Sequence, residues 1–443
     1  MRRRNSHRPL MILLPLWFVT IAAADAPKVL SMEPADGASD VDPNMGELVV
    51  TFDQDMSQGG FSVCGGGPAF PNLRGKPMWR DRRTLVLRVM LEADHSYQMS
   101  INCPAAQNFR NENGEPVAPT PWRFSTSAKR GPEDQRKLNE RSLDELIDSL
   151  RNDYSYFDRT GTDWNARFAK HRDKILDAKS TSEWADRVSK LLRPAKDPHL
   201  WMKVGGAGKA TFQRKYQGNF RLDTVEKVLG DLTKHDDSLY SARTKDDIGY
   251  LLITNWSGDR DARVAAIEAQ LRNLMDTKAL IIDVRPNGGG DELMAKAIAQ
   301  WFVKGEQIYS KNCYRDATAD GGYGRMFDRV IKGNDKPNVY TKRVAVLMGP
   351  ANLSSCESFL LMMKQGPRVK CFGGTSGGSS GNPKPHMLPN GVEFFIPSWK
   401  DYLPDGTLLE GGGVDPDIRV ETRASDFEAG DPVLDAALKA LRK

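Results

Sequence analysis

The chain has 443 residues, 39% hydrophobic and 27% charged, which leaves room for roughly two to four ordinary folded domains. Its formal charge is +5, but Arg2, Arg3, Arg4 and Arg8 supply four of those charges in a segment expected to be removed. The remaining balance, near +1, excludes a nucleic-acid partner held by bulk charge. Residues 1–24 read as an export signal. Arg2 to Arg4 form a positive start, Leu10 to Ile21 an apolar stretch of 12, and Ala22, Ala23 and Ala24 a small-residue cleavage site. That stretch falls short of the about 20 residues a membrane span needs. No later segment is long and apolar enough to be a transmembrane helix, so the expectation is a periplasmic or secreted protein. Five cysteines follow. Cys64 and Cys103 can pair in an oxidising compartment, and at least one of Cys313, Cys356 and Cys371 is left over. None has metal-ligand spacing.

Residues 27–127 alternate in short strands, such as Leu48 to Phe52, Thr84 to Val89 and Ser96 to Ile101. Turn clusters such as Pro34-Ala35-Asp36-Gly37 and Gly65-Gly66-Gly67-Pro68 separate them. The expectation is a β-sandwich. With its early Pro34-to-Gly37 turn and closing Phe124-Ser125-Thr126 strand, the segment resembles bacterial immunoglobulin-like domains, which position or adhere rather than catalyse. Residues 128–141 read as a polar linker. Residues 142–204 read as helical, with Ser142 to Glu145 as a cap and Leu146, Ile147 and Leu150 on one face. Residues 205–443 read as an α/β core. Tyr250 to Ile253, Leu280 to Val284 and Val344 to Met348 are buried strands, with helices over 262–275, from the glycine loop through Trp301, and over 354–364. The fold class expected is multidomain: sandwich, helical segment, then layered α/β core.

Two places in that core share one design of apolar strand, tight polar loop and helix start. Asn287-Gly288-Gly289-Gly290 offers unshielded N–H groups. Gly349-Pro350-Ala351-Asn352-Leu353-Ser354-Ser355-Cys356-Glu357 puts hydroxyls at the mouth of a helix, where a serine can attack a carbonyl or simply cap the helix.

From about Ser142 to the end the chain resembles the tail-specific (C-terminal processing) protease superfamily, in its tricorn-like branch. The resemblance rests on five ordered motifs. They are Asp197-Pro198-His199, the loop Asp283 to Gly290, Ser354-Ser355-Cys356-Glu357, the loop Gly373 to Pro383, and Leu409-Glu410 to Asp417. It implies Ser354 as nucleophile, His199 as general base and Glu410 orienting the imidazole. It also implies an oxyanion hole from Gly289 and Ser355, with Gly288, Gly290, Arg285, Gly377 and Gly378 around the substrate. Arg285 is read either as holding the glycine loop or as meeting a substrate carboxylate.

The chain departs from the family in three places. One branch uses a lysine base about 25 positions after the serine, where this chain has Ser379. A hydroxyl is not basic near neutral pH, so the Ser–His–Glu arrangement is expected instead. Pro198 stands where the tricorn pattern has a serine that bridges to the glutamate. Met202 to Asp247 spans only 46 residues, with no pattern of a PDZ domain. His386, in the proline-rich stretch Pro383 to Pro389, is the rival base, and Cys356 is read as a packing residue. The expected function is an exported serine peptidase without metal or cofactor, acting on peptides or proteins, its immunoglobulin-like domain free to meet a partner or the cell envelope. A non-catalytic binding protein on the same fold and an ester hydrolase are the alternatives.

Overall fold

The computed structural model describes residues 26–43, 45–127, 132–204, 207–316, 318–333 and 339–442. The expected export signal lies outside these residues. The chain divides into two compact units, 1–129 and 130–443. Among the described residues no helix is long and apolar enough to cross a membrane.

The N-terminal unit is β-rich. One sheet joins Val29–Glu33, Glu47–Phe52, Thr84–Met90 and Asn72–Leu73, with Met78–Trp79 also on Thr84–Met90. The other joins Ala38–Val41, Thr120–Thr126, Ser96–Ile101 and Val63–Cys64. Alternation along the strands sends Leu48, Val50, Leu85 and Leu87 from the first sheet into one core with Tyr97, Met99, Trp122 and Phe124 from the second. Cys64 and Cys103 form a disulfide, and Cys313, Cys356 and Cys371 are all buried free thiols.

The C-terminal unit opens with helix α1 (Pro132–Asp153), not with a linker to residue 141. Glu133 and Asp134 occupy its first turn, where acidic side chains complement the exposed N–H groups. Ser142, expected as a cap, therefore sits inside the helix, its hydroxyl bonded back to the Leu138 carbonyl. Helix α2 (Trp164–Leu176) packs on α1 and α3 (Thr181–Leu192) on α2, with the Trp184 indole N–H donating to the Asn139 carbonyl of α1. In α3, Trp184, Val188, Leu191 and Leu192 are buried at helical spacing, and the Ser180 side chain caps the Glu183 N–H.

The helical segment ends sooner than residue 204. Trp201–Val204 is a strand that pairs with Ala207–Ala210 on one side and Glu393–Pro397 on the other. Pro383–Met387 forms the far edge of that sheet, so His386 lies on a strand rather than in a loop. Met202, Phe394 and Ile396 bury one face of the sheet against the three helices.

The central sheet runs Thr233–Asp236, Leu239–Arg243, Ile248–Ile253, Ala279–Asp283, Arg343–Met348, Val369–Gly373, Ile418–Arg419. From Ile248 onward neighbouring strands are parallel. The strands Ile248–Ile253 and Ala279–Asp283 are buried throughout, which explains their continuous apolar runs. Helices α4 (Leu222–Leu229), α8 (Asp426–Ala429) and α9 (Pro432–Leu441) supply one apolar cluster. Helices α5 (Arg260–Asn273), α6 (Glu292–Ala299) and α7 (Ser355–Met363) supply the other.

Arg285 is wholly buried at the end of the second parallel strand. Its guanidinium donates to Asp283, to both Asp431 oxygens at 2.7 Å and to the Asn219 carbonyl at 2.9 Å. Every nitrogen is occupied, so Arg285 holds the glycine loop to α9 and cannot meet a substrate carboxylate. Arg285→Ala would leave two buried carboxylates uncompensated, with a predicted loss of about 3–5 kcal/mol of stability. Urea unfolding measures this; an unchanged midpoint together with a raised KM would instead point to a substrate contact.

Candidate active site

The strands Ala279–Asp283 and Arg343–Met348 are parallel neighbours, with Ile281 opposite Ala345. Their outgoing loops therefore lie side by side at the carboxyl edge of the sheet, the usual place for a site in an open α/β layer. Asn352 joins the two loops. Its amide nitrogen donates to the carbonyls of Val284 and Asn287, and its oxygen accepts the Gly349 N–H. Gly289 is drawn so close that a Cβ there would lie 2.8 Å from the Leu353 carbonyl and 2.9 Å from the Ser354 Cβ. Its φ is +109°. Only glycine fits.

Ser354 ends this turn with φ +55° and ψ −129°, immediately before α7. A side-chain-bearing residue held there carries strain of about 1–3 kcal/mol and is presented on a sharp strand-to-helix corner. Its N–H donates to the Ser379 carbonyl at 2.8 Å. Its hydroxyl makes no cap bond. The amides of Cys356 and Glu357 fold back to the carbonyls of Leu353 and Ser354. No acceptor meets the Ser355 N–H among the described residues.

His199 follows a buried turn in which its own N–H donates to Asp197 Oδ1 at 2.8 Å. Its Nδ1 lies 2.8 Å from the Ser379 hydroxyl and 4.0 Å from Asp197 Oδ1. Burial lowers the His199 pKa and the Asp197 charge partly restores it, so the ring is neutral at physiological pH. Burial pushes Asp197 up, against its bonds from His199 and from the Tyr154 hydroxyl at 2.9 Å. Ser379 thus touches both the Ser354 backbone and the imidazole.

Ser379 is itself held by Glu357, the last residue of the Ser-x-x-Glu motif. That carboxylate accepts the N–H of Ser379 at 2.9 Å, the N–H of Gly378 at 2.7 Å and the Ser376 hydroxyl. Burial pushes its pKa up to about 7.

Residues 247–420 match the family model described as Peptidase family S41. Over those residues the C-terminal core is similar to this peptidase family. Two solved structures share its fold. A candidate peptidase of Parabacteroides merdae matches with a TM-score of 0.59 at 23% identity, over 71% of this chain and 97% of its own. A mutant of CPAF matches with a TM-score of 0.52 at 13% identity, over 70% of this chain and 97% of its own. A search of curated proteins returned no match.

In this core three expected placements change. Glu410 is not beside His199. It accepts the Ser380 N–H at 2.9 Å, lies 3.7 Å from Arg159, and is pushed well up by burial and the Asp197 charge. The Gly289 N–H is taken by the Asn287 side chain at 2.9 Å, whereas the exposed Gly288 and Gly290 present N–H groups that meet no acceptor among the described residues. Gly377 and Gly378 are buried, their N–H groups given to Asn352 and Glu357, so they shape the loop rather than line a substrate path.

His386 approaches Asp153 at 4.0 Å. Cys356 is wholly buried, its thiol pKa raised well above the ordinary value, in keeping with packing. The described residues contain no group of His, Cys, Asp and Glu fit to hold a metal ion.

Asp197, the Ser379 hydroxyl and the Glu357 carboxylate have roles here that sequence reasoning did not assign. All three stand inside quoted motifs, and the two-residue step from Asp197 to His199 is the available signal for an Asx-type turn. Gly289→Ala would push a methyl against Ser354, with an expected fall in kcat of about 10²–10³, the scale of a lost oxyanion donor. Steady-state assays beside a thermal melt check this; unchanged kcat in a folded variant contradicts the close approach.

Proposed function

We propose that the protein is an exported serine peptidase that cleaves peptides or proteins through an acyl-enzyme on Ser354, with His199 as general base. The observation that carries this reading is Ser354 itself: strained, uncapped, against a glycine loop at a helix start, and tied to a neutral histidine through one intervening residue. As Ser354 Oγ attacks the scissile carbonyl, His199 Nε2 takes its proton and then delivers it to the departing amine. The oxyanion is received by the Ser355 N–H and by the N–H of Gly288 or Gly290. Water, deprotonated by His199, then releases the acyl group and regenerates Ser354.

Asp197 is the carboxylate that steadies the imidazolium, the role the family resemblance implies for Glu410. Glu410 and Arg159 brace the loop behind it. Export is supported by the composition of residues 1–24 and by the Cys64–Cys103 disulfide, a bond that persists in oxidising compartments. The N-terminal unit we read as an immunoglobulin-like module that meets a partner or the cell envelope, with the enzyme periplasmic or secreted.

A fluorophosphonate probe is expected to label the purified protein, and Ser354→Ala and His199→Ala are expected to abolish labelling. Labelling that survives Ser354→Ala moves the nucleophile elsewhere; a folded wild type that never labels overturns the peptidase reading. The kcat/KM profile is a second check. Because burial lowers the His199 pKa, activity should rise with pH through an acid limb below the ordinary imidazole value of about 6.5. An acid limb above that value would contradict a buried neutral base.

A further inference from the structure

A histidine base needs its ring fixed, its proton on the nitrogen away from the nucleophile, and a partner for the charge it acquires. For His199 these duties fall on different groups. Asp197 Oδ1 is 4.0 Å from Nδ1, close enough to act through charge but too far for a hydrogen bond. Its two oxygens are already engaged by the His199 N–H and the Tyr154 hydroxyl. Glu410 faces Ser380 and Arg159. The hydrogen-bond partner of the ring among the described residues is the Ser379 hydroxyl, at 2.8 Å.

Ser379 is only 1% exposed, and both of its backbone polar groups are fixed. Its N–H is held by Glu357 Oε2 at 2.9 Å, and its carbonyl holds the Ser354 N–H at 2.8 Å. Nucleophile and base are therefore located from one residue, which is anchored by a carboxylate three positions after the nucleophile.

We propose that Ser379 is the positioning residue that completes the Ser354–His199 pair, its hydroxyl oxygen accepting the Nδ1–H of His199. The inference rests on the peptidase reading above. It makes the hydroxyl of the 379 position the orienting group, a duty that neither Pro198 nor Glu410 can perform here. The proton on Nδ1 leaves Nε2 with its lone pair free for the Ser354 proton. The reverse bond, with Ser379 donating into Nδ1, would put the proton on Nε2 and leave no base toward the nucleophile. When Nε2 gains the Ser354 proton, the imidazolium keeps its Nδ1–H on Ser379, and Asp197 compensates the charge.

The test is nitrogen NMR of the full chain labelled in its imidazole rings, with the His199 signal identified by its loss in His199→Gln. The wild type is expected to show the Nδ1–H tautomer of His199 when neutral; an Nε2–H tautomer overturns the proposal whatever the variants do. In Ser379→Ala the tautomer preference should weaken, and the acid limb of kcat/KM should move to lower pH because the imidazolium has lost an acceptor. The kcat should fall about tenfold to a hundredfold, less than the about 10²–10⁴ attributed to the base itself because the base remains, while KM stays within about twofold. Ser379→Thr, which keeps the hydroxyl, should restore the tautomer and most of the rate. A folded Ser379→Ala with unchanged tautomer, acid limb and kcat also overturns it. The peptidase reading fails separately, by the absence of fluorophosphonate labelling in the wild type, which the tautomer does not affect.

Discussion

The hydrogen bonds made by the buried carboxylate of Glu357 are the constraint on which the site depends. Glu357 rides on α7, one turn beyond Ser354, and reaches across to the loop 376–379 instead of capping its own helix. That reach fixes Ser379, and Ser379 fixes both the Ser354 amide and the imidazole. A helix, a loop and a distant histidine are brought into register by one side chain. The motif spacing of three residues has a physical meaning: it puts Ser354 at the helix start and the carboxylate that braces its loop on the first turn behind it.

Behind this brace lies a dense layer of buried acids. Asp197, Glu357, Asp401 and Glu410 are all nearly inaccessible. Removing so many carboxylates from water is costly unless each finds donors or cations. Asp401 takes the Arg329 guanidinium at 2.8 Å and the Ser380 hydroxyl at 2.9 Å, and Arg329 also reaches Glu292. Arg159 stands between Glu410 and the carbonyls of Ala195 and Lys196, just before the turn that carries His199. Such a network adds little net stability, but it admits few alternative packings, which suits a site whose serine must be held in a strained conformation.

Much of the architecture was legible from pattern. Runs such as Leu280 to Val284 are apolar on both faces because the strand is covered on both sides, and the glycine loop follows from a helix start that needs close approach. The quoted motifs contain Ser354, His199 and the loop residue Ser379 that contacts both. What the sequence concealed was side-chain direction. Glu410 and Asp197 are both acids in quoted motifs, and nothing in their spacing tells which faces an imidazole from another part of the chain. Ser379 was readable as a missing lysine, but its hydroxyl gains meaning only from a contact 180 positions away. Arg285 was ambiguous for the same reason, since its partner Asp431 lies 146 residues further on. The start of α1 is not legible because residues 132–141 are polar enough to pass for a linker, although a surface helix tolerates that composition on its outer face.

The most direct test of the account is to trap the covalent intermediate with a peptide substrate. Acid quenching during turnover, followed by peptide mapping, should find the substrate's acyl group on Ser354. It should be undetectable in Ser354→Ala and depleted in His199→Ala, where attack is slowed. An acyl group on Ser355 or Cys356, or turnover with no covalent species in a folded, active wild type, would contradict the claim that Ser354, held by Ser379 and served by His199, does the chemistry.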